Sequence, residues 1–287
     1  MRDYVIVTDS SADLTEQMSN ELGIRTLQLE VLVEGETSKP NNEIDIKEFY
    51  GKLRAKKTAT TSAVNIEKFL EFFGDILKED VDILYLGFSS GLSSTYSSGA
   101  VAMKELSEQY PDRKLYAVDT LCASLGQGML VYLAAQKKLA GADIDTVRDY
   151  VEEIKLNQTH WFTVDDLFFL KRGGRVSAAT AVVGSLLNIK PVMHVDNAGK
   201  LINVEKVRGR RAAVDTLFNK MKSTMLKDQN GTIFISHGDC MEDVEYLANR
   251  IRKELNINDI QVNYVGPVIG AHSGPGTLAL FFLGTER

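Results

Sequence analysis

The stretch ILYLGFSSGLSSTYSSGAVAM, residues 83–103, determines how the first half of the chain is organised. Its opening apolar run has the length and composition that are typical of a buried parallel strand. A loop rich in glycine and serine follows from Gly87 to Ser94, and helical spacing resumes at Ala100 and Met103. The stretch therefore predicts a strand, a short polar loop and a helix, in that order.

The polar loop of this stretch predicts a site for an anion. At a helix entrance, the free backbone N–H groups and the positive end of the helix dipole point to one place. Hydroxyl groups surround the same place, contributed by Ser89, Ser90, Ser93, Ser94 and Thr95. This combination suits a carboxylate or a phosphate.

The order of strands and helices predicts two domains. Through the first half, strands and helices alternate in the βαβ order of a doubly wound α/β domain with a parallel sheet. Beyond Asn157 the pattern changes, and Asn197-Ala198-Gly199 has the composition of a hairpin turn between two strands. We predict an N-terminal α/β domain over residues 1–158 and a C-terminal α+β domain with a mixed or antiparallel sheet over residues 159–287.

Composition and charge narrow the class of protein. The 287 residues suffice for two domains, and the net charge of −6 argues against a general nucleic-acid binder. No apolar run approaches the roughly 20 residues that span a bilayer, and the first residues lack the pattern of a signal peptide. Cys122 and Cys240 lie far apart without CxxC spacing, which disfavours a disulfide framework or a zinc site. We expect a cytoplasmic protein.

Three further segments are candidates for chemistry. Thr60-Thr61-Ser62 is read as a second hydroxyl-rich loop at a helix entrance, although such a cluster by itself indicates only helix capping. The basic turn 171–175, KRGGR, suits an oxyanion or a solvated surface equally well. The segment 265–276 reads as a glycine-punctuated loop that presents His272, and we favour a functional role for this histidine.

The segment Gly87-Phe88-Ser89-Ser90-Gly91 also fits G-x-S-x-G, the nucleophile elbow of α/β-hydrolases. A serine esterase or thioesterase that uses Ser89 and His272 is therefore an alternative function. Against it, further loop separates Ser89 from the expected helix. No histidine precedes the serine, so the chain lacks the upstream HGG-type segment that forms the oxyanion hole in such enzymes. The chain has no P-loop, no dinucleotide fingerprint, no H-E-x-x-H and no calcium loop, so we expect no nucleotide, metal or other cofactor site.

Taken together, these segments resemble the DegV family, the bacterial fatty-acid-binding proteins of FakB type that serve a fatty acid kinase. The matching segments, in order, are residues 7–14, Thr61-Ser62, residues 89–96, Asp119-Thr120, Gly126-Gln127-Gly128, residues 173–177, Lys190-Pro191 and residues 272–276. They run from the first predicted strand to the last, so the resemblance covers essentially the whole chain.

The resemblance implies a lipid carrier and no catalytic residue of its own. A long-chain fatty acid would lie between the domains, with its acyl chain in an apolar tunnel of the second domain. Its carboxylate would be held by Thr61, Ser62, Ser93, Ser94 and His272, and Arg172 matches a basic position near the site. A partner kinase similar to dihydroxyacetone kinases would supply ATP and form acyl phosphate. Transient contact with a membrane surface fits this function, and a regulatory member without a kinase is a further alternative.

Two positions depart from the family pattern. Ala63-Val64 stands where the family often has Gln-Pro, and Ser94 replaces the glycine of Leu-Ser-Gly-Thr. The hydroxyl of Ser94 either adds a donor beside the carboxylate or crowds it. The small and aliphatic residues 178–187 predict a helix that either lines the acyl tunnel or simply packs in the core.

Overall fold

A four-stranded parallel sheet and a six-stranded mixed sheet form the framework of the protein, as seen in a computed structural model that describes residues 2–177 and 188–287. The strands are β1 (Tyr4–Asp9), β2 (Ile24–Leu27), β3 (Glu30–Val33), β4 (Lys39–Pro40), β5 (Ala59–Ser62), β6 (Asp82–Gly87), β7 (Leu115–Asp119), β8 (Gln158–Thr163), β9 (Ile189–Val195), β10 (Leu201–Arg208), β11 (Ile233–His237), β12 (Ile260–Tyr264) and β13 (Leu278–Leu283). The described helices are α1 (Glu16–Glu21), α2 (Ile46–Arg54), α3 (Ile66–Leu77), α4 (Thr95–Gln109), α5 (Leu125–Leu139), α6 (Ile144–Ile154), α7 (Phe168–Arg172), α8 (Arg210–Thr224), α9 (Met241–Leu255) and α10 (Pro267–Ser273).

The parallel sheet has the strand order β2-β1-β6-β7. Every residue of β6 is buried, because helices cover both faces of the sheet. Ile83 and Tyr85 face the core formed with α2, α3 and α4, whereas Leu84 and Leu86 face the core formed with α5 and α6. The predicted doubly wound α/β architecture of the first half is confirmed.

The six-stranded sheet has the order β10-β9-β8-β13-β11-β12, in which β11 and β12 are parallel and the other neighbours are antiparallel. One face packs on α8 and α9 through residues such as Leu217 and Leu247. The other face packs on Leu125 and Met129 of α5, a helix of the first half. The predicted mixed sheet is confirmed, and α5 lies between the two sheets.

Three local predictions were wrong. The sequence of residues 26–33 predicts a single strand, but the segment contributes to two, because β2 joins the parallel sheet while β3 pairs with β4 and β5 in a separate three-stranded sheet. The polar loop expected at Thr60-Thr61-Ser62 belongs to strand β5, and Asn65 is the residue that caps α3. The expected loop at residues 265–276 contains α10, which begins with Pro267 at a position where proline is favoured.

The helix predicted over residues 178–187 lies outside the described residues. None of the helices in the two described ranges has the length and apolarity needed to cross a membrane.

Candidate functional site

A cavity lies between the carboxyl end of the parallel sheet and the α5-facing side of the six-stranded sheet. Its volume is about 150 Å³, well above the roughly 10–15 Å³ that a single buried water needs. The described residues that line it include all five of the predicted carboxylate-binding residues, Thr61, Ser62, Ser93, Ser94 and His272. Residues that are distant in the sequence are therefore brought to one cavity.

Apolar side chains of the six-stranded sheet form one wall of this cavity. They are Phe162 of β8, Val195 of β9, Leu201 of β10, and Ala279 and Phe281 of β13. Phe88 and Leu92, which lie close to Ser89 in the sequence, line the cavity as well. The cavity thus combines a group of hydroxyls and an imidazole with an extended apolar surface.

Thr61 and His272 form the direct contact at the polar side of the cavity. The Oγ1 atom of Thr61 lies 2.7 Å from Nε2 of His272, which joins β5 to α10. Among the described residues, Nδ1 of His272 has no hydrogen-bond partner. Burial lowers the pKa of His272 to about 4, with a smaller contribution from the positive charges of Arg175 and Arg172. The imidazole of His272 is therefore neutral at pH 7.

Ser93 is held by the loop between β6 and α4. Its hydroxyl lies 2.9 Å from Oγ1 of Thr95 and accepts a hydrogen bond of 3.2 Å from the Thr95 N–H. Ser94 precedes the first residue of α4 and is exposed, as is Ser62. Ser62 and Ser94 therefore lie toward solvent, at the outer part of the cavity.

Asp9, at the end of β1, fixes the start of this loop. Its buried carboxylate accepts hydrogen bonds from the Phe88 N–H at 2.9 Å and from the Tyr85 hydroxyl at 3.0 Å. Burial raises the pKa of Asp9, although these hydrogen bonds lower it again in part. Because β1 and β6 are neighbours, their carboxyl ends meet where open α/β sheets usually bind ligands.

Arg175 is the basic residue of the turn 171–175 that lines the cavity, whereas the family resemblance pointed to Arg172. The Arg175 guanidinium donates from Nε to the Leu92 carbonyl at 3.2 Å, and it also donates to the Gly173 carbonyl. Arg172 is exposed, and its guanidinium lies over the ring of Phe169, 4.9 Å from the ring centre. A Cβ on Gly173 would lie 2.3 Å from Nδ1 of His272, so glycine is required there.

Ser124 and Ser236 are cavity-lining residues that the sequence interpretation missed. Ser124 donates to the Asp13 carboxylate at 2.5 Å, and its oxygen lies 2.9 Å from the Ser236 hydroxyl. The three groups form a buried chain from the first half to strand β11. Ser124 has a positive φ of 54°, a strained conformation that nothing in its sequence context indicated.

Ser89 does not have the environment of a nucleophile. Its side chain is fully buried, and its hydroxyl donates to the Gly199 carbonyl at 2.8 Å. Helix α4 begins only at Thr95, and Nε2 of His272 contacts Thr61 instead of Ser89. A nucleophile elbow needs an exposed serine at the start of its helix. The geometry therefore disfavours the esterase alternative.

The described residues also offer no metal centre. Within residues 2–177 and 188–287, no three His, Cys, Asp or Glu residues are grouped so that they could hold a metal ion.

Comparison with known sequences identifies the family. A family model described as "Uncharacterised protein, DegV family" matches residues 3–285. A DegV domain-containing protein of Clostridium perfringens is 46% identical over 289 aligned positions, which cover 100% of this chain and 99% of the relative. The chain belongs to the DegV family.

Solved DegV structures have the same fold over nearly their whole length. A DegV family protein of Thermus thermophilus, whose structure is described as fatty acid binding, is 30% identical with a TM-score of 0.87, covering 99% of this chain and 100% of that one. DegV of Bacillus subtilis, described as a fatty acid binding protein, is 27% identical with a TM-score of 0.85, covering 99% of this chain and 100% of that one. The predicted family and fold are therefore confirmed.

Proposed function

We propose that this DegV protein binds a long-chain fatty acid and presents its carboxylate to a partner fatty acid kinase, which forms acyl phosphate from ATP. The observation that carries the proposal is the composition of the cavity. Thr61, Ser93 and His272 lie on one side of it, and the apolar face of the six-stranded sheet forms a wall. The fatty-acid-binding DegV proteins of Thermus thermophilus and Bacillus subtilis support it by their similarity.

The energetics suit an amphiphilic acid. Burial of an acyl chain contributes about 0.8 kcal/mol per methylene, so a chain of about 16 carbons offers on the order of 10 kcal/mol before the cost of association. A carboxylate in such a cavity needs hydrogen-bond donors, because a buried unpaired charge is strongly unfavourable. Hydroxyl groups meet this need without adding charge, and Arg175 adds a nearby positive charge.

We assign phosphoryl transfer to a separate kinase for two reasons. The sequence has no nucleotide-binding motif, and residues at the outer part of the cavity are exposed to solvent. Ser62, Ala63 and Ser94 are exposed there, and all three line the cavity. A carboxylate bound beside them would be within reach of a phosphoryl donor held by another protein. In this proposal the DegV protein contributes positioning, and the kinase contributes ATP and the phosphate-binding groups.

Native mass spectrometry of protein purified from cells tests the carrier function. We expect a bound mass equal to that of a fatty acid of about 14 to 18 carbons, since this length fills an apolar tunnel with favourable burial. Addition of ATP and a kinase similar to dihydroxyacetone kinases should then convert the bound acid to acyl phosphate. Binding without phosphorylation would support the regulatory alternative. Ester hydrolysis that is lost in Ser89→Ala would refute the carrier function.

A further inference from the structure

Ser89 forms hydrogen bonds both within the loop of residues 87–94, called the clamp loop below, and with the second half of the protein. Its hydroxyl donates to the Gly199 carbonyl at 2.8 Å and accepts from the Gly91 N–H at 3.2 Å. Its carbonyl accepts from the N–H groups of Leu92 at 3.0 Å and Ser93 at 3.1 Å. One buried residue therefore joins the backbone of Ser93 to a residue in the other half of the protein.

The partner of Ser89 belongs to a hydrogen-bonded turn between β9 and β10. The Asp196 carboxylate accepts from the N–H groups of Ala198 and Lys200, each at 2.9 Å, and the Gly199 N–H donates to the Asp196 carbonyl at 2.9 Å. These bonds fix the direction of the Gly199 carbonyl. The turn is therefore a firm anchor for the Ser89 hydroxyl.

Two glycines bring the loop and the turn into close contact. A Cβ on Gly199 would lie 2.1 Å from the Ser89 hydroxyl oxygen, and a Cβ on Gly91 would lie 2.5 Å from the Ala198 carbonyl oxygen. Neither position has room for a side chain. Gly199 also has a φ of +70°, which favours glycine independently of the contact.

The contact lies where two walls of the cavity meet. Phe88 and Leu92, on either side of Ser89 in the sequence, line the cavity. Val195 ends β9 and Leu201 begins β10, and these two residues line the cavity from the second half. A change in the position of the turn would therefore shift the loop that carries Ser93.

We propose that Ser89 is a positioning residue, which places the Ser93 hydroxyl for the ligand carboxylate only while the turn of residues 196–200 is docked on the clamp loop. The inference rests on the proposed fatty-acid binding. It gives the G-x-S-x-G serine a role other than nucleophilic attack. It also couples the contact between the two halves to recognition of the ligand head group.

A double-mutant cycle with oleic acid as the probe tests this role. Ser89→Ala should weaken binding about tenfold in the otherwise wild-type protein, because the buried Gly199 carbonyl and the partly buried Gly91 N–H lose their hydrogen bonds. In the Ser93→Ala background the same change should weaken binding less than about threefold, because residues that act through one another are not additive. A residue that serves only general stability would weaken binding equally in both backgrounds, and this result would overturn the inference.

Controls separate this inference from the proposed function. Ser97→Ala changes an exposed serine of α4 that does not line the cavity, and it should alter binding less than about twofold. If Ser89→Ala fails to fold by circular dichroism, Gly199→Ala attacks the same contact from the turn and should show the same dependence on Ser93, with Asn197→Ala as its exposed control. Failure of the unchanged protein to bind oleic acid would refute the proposed function itself. Normal binding with additive variants would refute only the role of Ser89.

Discussion

His272 lines the cavity as a neutral base. Burial and the two nearby guanidinium groups lower its pKa to about 4, and its Nε2 atom lies beside the Thr61 hydroxyl. A bound carboxylate would add a negative charge close to the ring. Because a negative charge favours the protonated imidazole, ligand binding should raise the pKa of His272.

We therefore expect fatty-acid binding to take up a proton. Affinity should rise as pH falls through the pKa of the complex, because the protonated histidine is favoured only in the bound state. Isothermal titration calorimetry between about pH 6 and 8, in two buffers of different ionisation enthalpy, measures the proton count directly.

His272→Gln should remove the uptake and weaken binding about tenfold, as expected for loss of a charge-assisted hydrogen bond. Ser93→Ala is the control, because it should weaken binding while the proton uptake stays. Equal proton counts in His272→Gln and the unchanged protein would contradict this assignment.

At the residue scale, the family resemblance pointed to hydroxyls and a histidine that the structure brings together at one cavity, but it did not separate Arg172 from Arg175. The two arginines share a basic turn, and only the packing of that turn directs one guanidinium to Leu92 and the other onto Phe169. Ser124 and Ser236 were missed for a similar reason. Isolated serines carry no sequence signal. Only the folded chain brings Ser124 into contact with both Asp13 and Ser236.

At the scale of elements, the apolar run predicted β6, because burial on both faces leaves a continuous apolar pattern, and helical spacing predicted α4. The sequence pattern failed at β5, whose residues Thr60-Thr61-Ser62 have the composition of a helix cap but pair with β3. It failed at α10 as well, where glycines suggested a loop. A Cβ on Gly270 would lie 2.7 Å from the Tyr50 phenol oxygen, so this glycine serves close packing instead.

Two helical glycines allow the energetic effect of close packing to be compared with that of helix propensity. A Cβ on Gly99 of α4 would lie 2.6 Å from the Tyr85 ring, whereas a Cβ on Gly74 of α3 would meet nothing within 4 Å. The Tyr85 ring has little freedom to move, because it packs on Phe69 and Phe73 and bonds to Asp9.

We expect Gly99→Ala to destabilise the protein by about 1–2 kcal/mol, since overpacking exceeds the gain in helix propensity. Gly74→Ala should instead stabilise it by about 0.8–1.0 kcal/mol, because only the propensity changes. Urea unfolding measures both. A stabilised Gly99→Ala variant would show that α4 shifts away from the sheet without penalty.

At the scale of the whole molecule, the chain Asp13–Ser124–Ser236 joins the two halves. Burial raises the pKa of Asp13 to about 7, and the hydrogen bond from Ser124 only partly opposes this effect. In the unfolded chain this carboxyl has an ordinary pKa of about 3.9. Between these values the folded protein holds a proton that the unfolded chain has released. The contribution of Asp13 to the free energy of unfolding therefore falls as pH rises from about 4 to about 7.

Asp13→Asn should abolish this contribution, and asparagine tolerates the positive φ of 52° at this position. We expect the unchanged protein to lose stability relative to Asp13→Asn as pH rises through this window. Urea unfolding of both proteins at several pH values gives the difference. Ser236→Ala keeps the carboxyl and should keep the slope. A difference that is independent of pH would contradict a raised pKa.

The position of β13 has a consequence for the synthesis of the protein. Although it is made after the other five strands of its sheet, β13 inserts between β8 and β11, at the centre of the strand order. While the ribosome is still adding residues 278–283, both neighbours have unpaired edges, which are prone to pair with other chains. His272, made just before β13, completes the polar side of the cavity at nearly the same moment. The six-stranded sheet therefore closes only after β13 has been made, and the proposed fatty-acid site is complete only at that stage.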